Sequence, residues 1–416
     1  MEQQPEESSP ALRGGLLPTP LDSTPREPAG TEPAVEALRS GRRPHLDQLD
    51  ALRLLPMLGV VAVHVILYTA PATSRGAGAL LMLLHVNREL FFFLSAFVLT
   101  YSTGAAQRGF PVVRFWLRRY PYVVLPYVVW TVIYWAMLTG IQRPGSPSLL
   151  SLGRDLTSGW FQLYYLLVLM QIYLVFPLLA WVVRRLRGWH WALILVAVAI
   201  QLSLDWVLQY RPQLVPQWLF SAALWSEEEV TSYLFYVVAG IVAAAHLPAL
   251  LLWTRQNGRW LVIAVIAAVT GAEAVYAWNL SVGYPPSAAS AALQPVLTPL
   301  VLAVLGGLWV AADWARSAYP AEHAVWQVIR RGSDLSFGIF LAHMVALIVL
   351  LQPGVARLLD HGGMSWQQLA VLRFGLVVVS TVLLVGGLRR TPLSLPLTGR
   401  RWAGRRTGAP SGYPIG

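Results

Sequence analysis

Residues 49–64 read Leu49-Asp50-Ala51-Leu52-Arg53-Leu54-Leu55-Pro56-Met57-Leu58-Gly59-Val60-Val61-Ala62-Val63-His64, and the run stays largely apolar to Ala70. That is close to the roughly 20 residues an α-helix needs to cross a hydrocarbon core of about 30 Å. A helix is the expected form, because an open sheet would leave backbone groups unsatisfied in lipid. Two of its side chains are expensive there, Arg53 and His64. Eleven helical steps of about 100° return them to nearly the same face, separated by roughly 16 Å along the axis. Pro56 lies between them and is expected to bend the helix locally. A guanidinium at one mouth and an imidazole near mid-membrane thus line one groove.

The same pattern recurs along the chain. Ten spans are expected, at about Ala51–Ala70, Glu89–Ser102, Tyr120–Thr139, Phe161–Val183, Trp191–Leu208, Val230–Ala245, Trp260–Leu280, Val296–Ala312, Leu335–Leu351 and Leu369–Leu388. The fold class that follows is an all-α, polytopic integral membrane protein. Composition agrees: of 416 residues 56% are hydrophobic and 12% charged, against about a quarter charged in ordinary soluble domains. Residues 1–45, rich in Pro, Glu, Ser and Gly without apolar periodicity, are expected to be a disordered tail without a cleaved signal peptide. Residues 46–390 form the membrane domain and 391–416 a basic tail.

All 31 basic side chains are Arg, giving a net charge of +11. With ten spans and a cytoplasmic N-terminus, 24 arginines fall on the cytoplasmic side. Seven fall opposite, namely Arg75, Arg88, Arg143, Arg154, Arg211, Arg357 and Arg373. This positive-inside bias sets both termini in the cytoplasm and suggests a plasma-membrane protein. An odd number of spans would destroy it. Because the arginines follow sidedness and form no single patch, a nucleic-acid partner is not expected. The chain has no Lys and no Cys, which excludes a Schiff-base lysine, a thiol nucleophile, disulfides and iron–sulfur clusters. No metal site is expected.

Intramembrane ionisable groups are the natural candidates for chemistry. His64 suits a general base, or a covalent acyl carrier, since an unperturbed imidazole titrates near working pH. Arg53 suits binding of an anion. The structural alternative is a helix-to-helix hydrogen bond for His64 and a snorkelling Arg53. His343 and Ser336 fall on one face of the ninth span. Glu273 and Asp205 lie in the seventh and fifth, where either could orient a histidine. Glu89 opens the second span, beside Arg88. Asp334 is read as a helix-end stabiliser.

The Leu49-Asp50-Ala-Leu-Arg53 run, followed by ten residues and then His64, resembles the first-helix signature of acyltransferase family 3, integral-membrane acyltransferases that modify glycans, lipids and some secondary metabolites. Glu89-Leu-Phe-Phe-Phe-Leu-Ser95-Ala96-Phe97 resembles the family's second helix, with Ala96 where Gly is usual. Phe115-Trp-Leu-Arg118-Arg119 leading to Leu125-Pro126-Tyr127 resembles the third. Tyr164-Tyr165 through Gln171 and Tyr173 to Phe176-Pro177 matches the fourth, and Ser336-Phe-Gly338-Ile-Phe340-Leu-Ala-His343 resembles a late helix. These matches run in family order.

The resemblance implies transfer of an acyl group, most simply acetyl, from acyl-coenzyme A to a hydroxyl of a glycan, glycolipid or glycosylated metabolite. By carry-over His64 is the catalytic histidine and Arg53 its paired residue. Arg114, Arg118 and Arg119 are candidates for the donor's phosphates, or else simple topology determinants. Asp50, Glu89, Glu273, Ser336 and His343 are candidates for support or for the acceptor side. The bilayer, acyl-CoA and a saccharide are the implied partners, and no tightly bound cofactor is required. Two positions depart from the family pattern: Tyr122 where a second Arg is common, and Gln162 where His is common. The alternative class is a transporter or flippase in which the same polar groups make no bond. A formal His45-x4-Asp50 match to glycerolipid acyltransferases lacks the α/β domain that motif needs, and is read as coincidence.

Overall fold

The computed structural model describes residues 44–139, 148–159, 161–215, 227–320, 322–360 and 363–402. The tail expected over 1–45, apart from Pro44 and His45, and residues 403–416 lie outside them. Every regular element among the described residues is helical. In chain order the elements are α1 (Asp47–Thr69), α2 (Arg75–Leu84), α3 (Val86–Thr103), α4 (Val112–Arg119), α5 (Pro121–Thr139) and the short α6 (Leu149–Ser158). Then follow α7 (Tyr164–Arg185), α8 (His190–Tyr210), α9 (Leu234–Ala245), α10 (Leu247–Gln256) and α11 (Gly258–Ser281). The last are α12 (Leu297–Ala318), α13 (Ala324–Leu350), α14 (Trp366–Leu388) and α15 (Ser394–Thr398).

Among the described residues nine helices or near-continuous pairs are long and apolar enough to cross a membrane; a tenth counts if the segment Val230–Ala245 and α10, bent by 91°, form one span. All ten expected spans have a counterpart, and the protein is an all-α multi-pass membrane protein. The outward faces are those of a chain in lipid. On α8 and α11, Leu195, Val196, Ile200, Ile263 and Ile266 are each more than half exposed, an apolar belt no soluble monomer would leave uncovered. Two expected spans prove longer. The second takes in α2 as well as α3, and the ninth begins at Ala324, a full three turns before Leu335.

Side-chain bonds show how the ends alternate. On the face holding most of the arginines, Tyr101 donates to the Pro44 carbonyl (2.7 Å), Gln48 to Asp313 (3.1 Å) and Arg184 to the Ala105 carbonyl (2.7 Å), and His190 meets His246 (2.7 Å). On the opposite face, Arg373 donates to Thr69 (3.1 Å), Tyr276 to the Arg75 carbonyl (2.8 Å), Gln209 to the Ala288 carbonyl (3.1 Å) and Arg88 to Glu227 (2.8 Å). Glu227 and His246 flank the sixth segment on opposite faces. Val230–Ala245 therefore runs across the protein, and α10 turns away after it.

Small residues let the helices close up. A Cβ placed on Gly240 of α9 would strike the Phe93 carbonyl oxygen and press on Ala96 of α3 at 3.1 Å, so these two helices meet backbone to backbone. Gly240→Val is expected to destabilise the fold by about 1–3 kcal/mol through overpacking. A lowered melting temperature of the detergent-purified protein checks this.

The arginine-rich face is tied by an ion-pair network. Asp47 accepts from Arg316 (2.9 Å) and Arg330 (3.1 Å), while Asp50 accepts from Ser333 (2.7 Å) and meets His45 at 2.7 Å. The His45-x4-Asp50 match is thus a real contact, but a structural one in a helical frame. One ligand atom from each of His45, Asp47 and Asp50 lies within 4.8 Å of the others. The arginines and Ser333 already satisfy those carboxylates, so the cluster is better explained as a lock between α1, α12 and α13. The hydrogen bond to Asp50 raises the His45 pKa above the ordinary value near 6.5. The folded state binds that proton more tightly, so this contribution is full below pH 6.5 and fades as pH rises through the elevated value. Thermal unfolding across pH 6–9 should show that decline, and His45→Ala should remove it.

Candidate active site

Helix α1 is the hub of the molecule, touching α2, α3, α12, α13 and α14. Its His64 lies against His343 of α13, with ring centroids 5.0 Å apart and His343 Nε2 3.4 Å from His64 Nδ1. His64 Nδ1 is 2.9 Å from the Val60 carbonyl and His343 Nδ1 is 2.7 Å from the Phe340 carbonyl. A carbonyl can only accept, so in the neutral pair each Nδ1 carries the proton. That leaves the Nε2 lone pair of fully buried His343 facing the His64 N–H, as a second acceptor. His64 Nε2 is then unprotonated and, among the described residues, bonded to nothing. A histidine held in one tautomer with its other nitrogen free is arranged to take a proton.

Toward the arginine-rich face, Ser95 of α3 reaches Tyr165 of α7 (3.4 Å), whose ring meets Phe340 edge-on at 5.2 Å. Arg53 follows, one helix face below His64. Its electrostatic neighbours are Asp50, Arg400 and Arg119, and among the described residues its guanidinium makes no hydrogen bond or ion pair. The expected arginine cluster is split by α4. Arg119 turns inward, four residues after buried Phe115, and donates to Ser102 (3.4 Å); Arg114 and Arg118 lie on the exposed face.

The other candidates fall elsewhere. Asp50 belongs to the ion-pair lock. Ser336 donates to the Ser333 carbonyl (2.7 Å) within its own helix. Glu89 pairs with Arg88 (2.7 Å), which also holds Glu227 and the Ala292 carbonyl; the second Glu89 oxygen is buried without a hydrogen-bond partner. Glu273 sits on α11 near Tyr276, and Asp205 accepts from Gln201 (3.0 Å). Among the described residues neither carboxylate is hydrogen-bonded to a histidine. Asp334 is no helix-end stabiliser: it sits inside α13, where Arg389 and Arg400 pair with it. Two residues escaped the sequence reading. His85, at the break between α2 and α3, is an electrostatic neighbour of His64 and Arg88; its signal was an ionisable residue just before the expected start of the second span. Arg400 lies beyond the last span.

A cavity of about 980 Å³ opens among α1, α3, α9, α10, α11 and α12, lined by residues such as Phe93, Phe97, Ala243, Ala267, Val296 and Leu305. Neither His64, His343 nor Arg53 lines it. Its walls lack the convergent polar groups that acyl transfer needs, so the histidine pair is the better candidate.

The His64–His343 pair and Arg53, which has no hydrogen bond or ion pair among the described residues, thus lie inside a bundle of membrane helices. Residues 46–390 match the family model of the acyltransferase domain of acyltransferase family 3. The chain belongs to that family and is a membrane acyltransferase; the transporter reading falls away. Comparison with curated proteins and with solved structures found no match.

Proposed function

We propose that the enzyme moves an acyl group, most simply acetyl, from acyl-coenzyme A at the cytoplasmic face of the plasma membrane to a hydroxyl of a glycan, glycolipid or glycosylated metabolite. The observation that carries this reading is the free Nε2 of His64, fixed by the Val60 carbonyl and His343. It sits on the same helix as Arg53, which is unpaired among the described residues. Both termini are cytoplasmic in this reading, in keeping with the arginine bias.

In the reaction, His64 Nε2 takes the acceptor's hydroxyl proton as the oxygen attacks the thioester carbonyl. The tetrahedral adduct collapses with cleavage of the carbon–sulfur bond. The imidazolium returns its proton to the departing thiolate, leaving ester and free coenzyme A. His343 accepts from His64 Nδ1–H and steadies the imidazolium, the part an orienting carboxylate plays in a triad, but without adding a buried negative charge. The anionic donor is drawn to Arg53 and Arg119. Incubating the detergent-purified protein with labelled acetyl-coenzyme A tests the reading. Thioester cleavage that increases with a hydroxylated acceptor supports it; failure of the protein either to bind coenzyme A or to cleave the thioester overturns it.

A further inference from the structure

The chain does not leave the molecule after α14. Expected as the start of a basic tail, residues 391–402 fold back instead. Helix α15 packs on α5 and α13, and Trp130 donates to the Leu397 carbonyl (3.2 Å). Ser394 donates to the Arg400 carbonyl (2.7 Å), closing the turn from within. The turn itself needs Gly399, whose φ is 66° and whose Cα faces the Phe337 ring so closely that any Cβ would collide with it. Beyond it, Arg401 stacks over the Tyr122 ring at 5.6 Å, and Arg400 pairs with Asp334 at 2.9 Å.

This fold-back brings Arg400 to Asp334, next in α13 to the Ser333 that donates to Asp50, one turn before Arg53 on α1. Arg53 is partly buried and unpaired among the described residues, Arg119 is held among them by a long bond to a serine hydroxyl, and Arg119 and Arg400 are electrostatic neighbours of Arg53. Asp50 and Asp334 are the acids near them. Asp50 is occupied by His45 and Ser333, and Asp334 is shared between Arg389 and Arg400. Guanidinium groups that neighbour one another repel, and an anion between them removes that cost. Tyr122, where this chain departs from the family pattern, lies under Arg401 of the fold-back.

We propose that the segment Ser394–Arg401 is part of the donor site, and that Arg400 joins Arg53 and Arg119 in a subsite for a phosphate of the acyl donor. The inference rests on the acyl-coenzyme A reading and extends it to a segment beyond the family match. Coenzyme A alone, titrated into the full chain in phosphatidylcholine nanodiscs, is the probe. Arg400→Gln is expected to raise its Kd about tenfold and flatten its salt dependence, with Arg400→Lys intermediate. It should raise KM for acetyl-coenzyme A while leaving turnover of phosphate-free S-acetylpantetheine unchanged. A merely structural role would affect both substrates, and Asp334→Asn would then weaken coenzyme A binding as much as Arg400→Gln; either result overturns the proposal. So does an unchanged Kd in Arg400→Gln, even if the wild type binds and cleaves acetyl-coenzyme A, in which case the function stands without this subsite. If coenzyme A does not bind at all, inorganic pyrophosphate binding that Arg400→Gln abolishes keeps the anion subsite and overturns only the donor. Competition by phosphatidylglycerol in the nanodisc would instead assign the arginines to a lipid phosphate.

Discussion

His64→Ala is expected to lower acyl transfer by about 10²–10⁴-fold, the usual contribution of a positioned acid–base group. The loss should fall on kcat, because in the proposed reaction His64 takes the acceptor's proton while the donor is held toward Arg53. Coenzyme A release, followed as free thiol, measures it, and an unchanged Kd for coenzyme A shows that the fold survives. Activity within a few-fold of wild type would sink the proposed mechanism. The same assay separates general base from covalent carrier. Quenched wild-type enzyme that retains a hydroxylamine-labile acyl group on His64 would mean that the imidazole itself is acylated.

His343→Ala should cost about 10–100-fold, the range typical of groups that orient a functional side chain from behind. His343 does not reach the substrate in this reading. It fills a fully buried site and presents an acceptor 3.4 Å from His64 Nδ1. His343→Gln offers an amide oxygen near the same position and should restore part of kcat, while KM for the donor stays constant in both variants. A purely packing role predicts a different outcome, with both substitutions lowering the melting temperature and neither changing kcat per folded molecule. Equal losses in His64→Ala and His343→Ala would make the two rings joint participants.

The fold was largely legible in the sequence because the solvent is lipid. A helix that must satisfy every backbone group internally needs a fixed length of apolar residues, and the arginine positions record which ends share a face. The errors are at element ends. Glu89 was taken to open the second span, yet α2 continues the crossing upstream through a break at His85, where a polar residue interrupts the hydropathy without ending the helix. The ninth span hid its start behind Arg330, Arg331 and Asp334, charges that a hydropathy reading assigns to a loop. In the structure α13 runs through that stretch, with Arg330 bound to Asp47 and Asp334 to Arg389 and Arg400.

The site was legible only in part. Arg53 and His64 share a helix, so the period of 3.6 residues was enough to set them on one face. The expected cluster of Arg114, Arg118 and Arg119 is divided between two faces of α4. Phe115 and Arg119 are four residues apart on the inward side of α4, and Arg114 and Arg118 four apart on the outward side.

By itself, then, the sequence determined the helical membrane architecture, the motifs that point to the family and the placing of Arg53 and His64 on one helix. All of these follow from local periodicity, span length and residue type. Tertiary structure alone decided that His343 is the partner of His64 across 279 residues, and that Arg88 reaches Glu227 across 139. It also decided that a segment beyond the last span folds back and pairs Arg400 with Asp334. Those are contacts between elements distant in the chain, and they are set by which helix faces pack together, a choice no local pattern encodes.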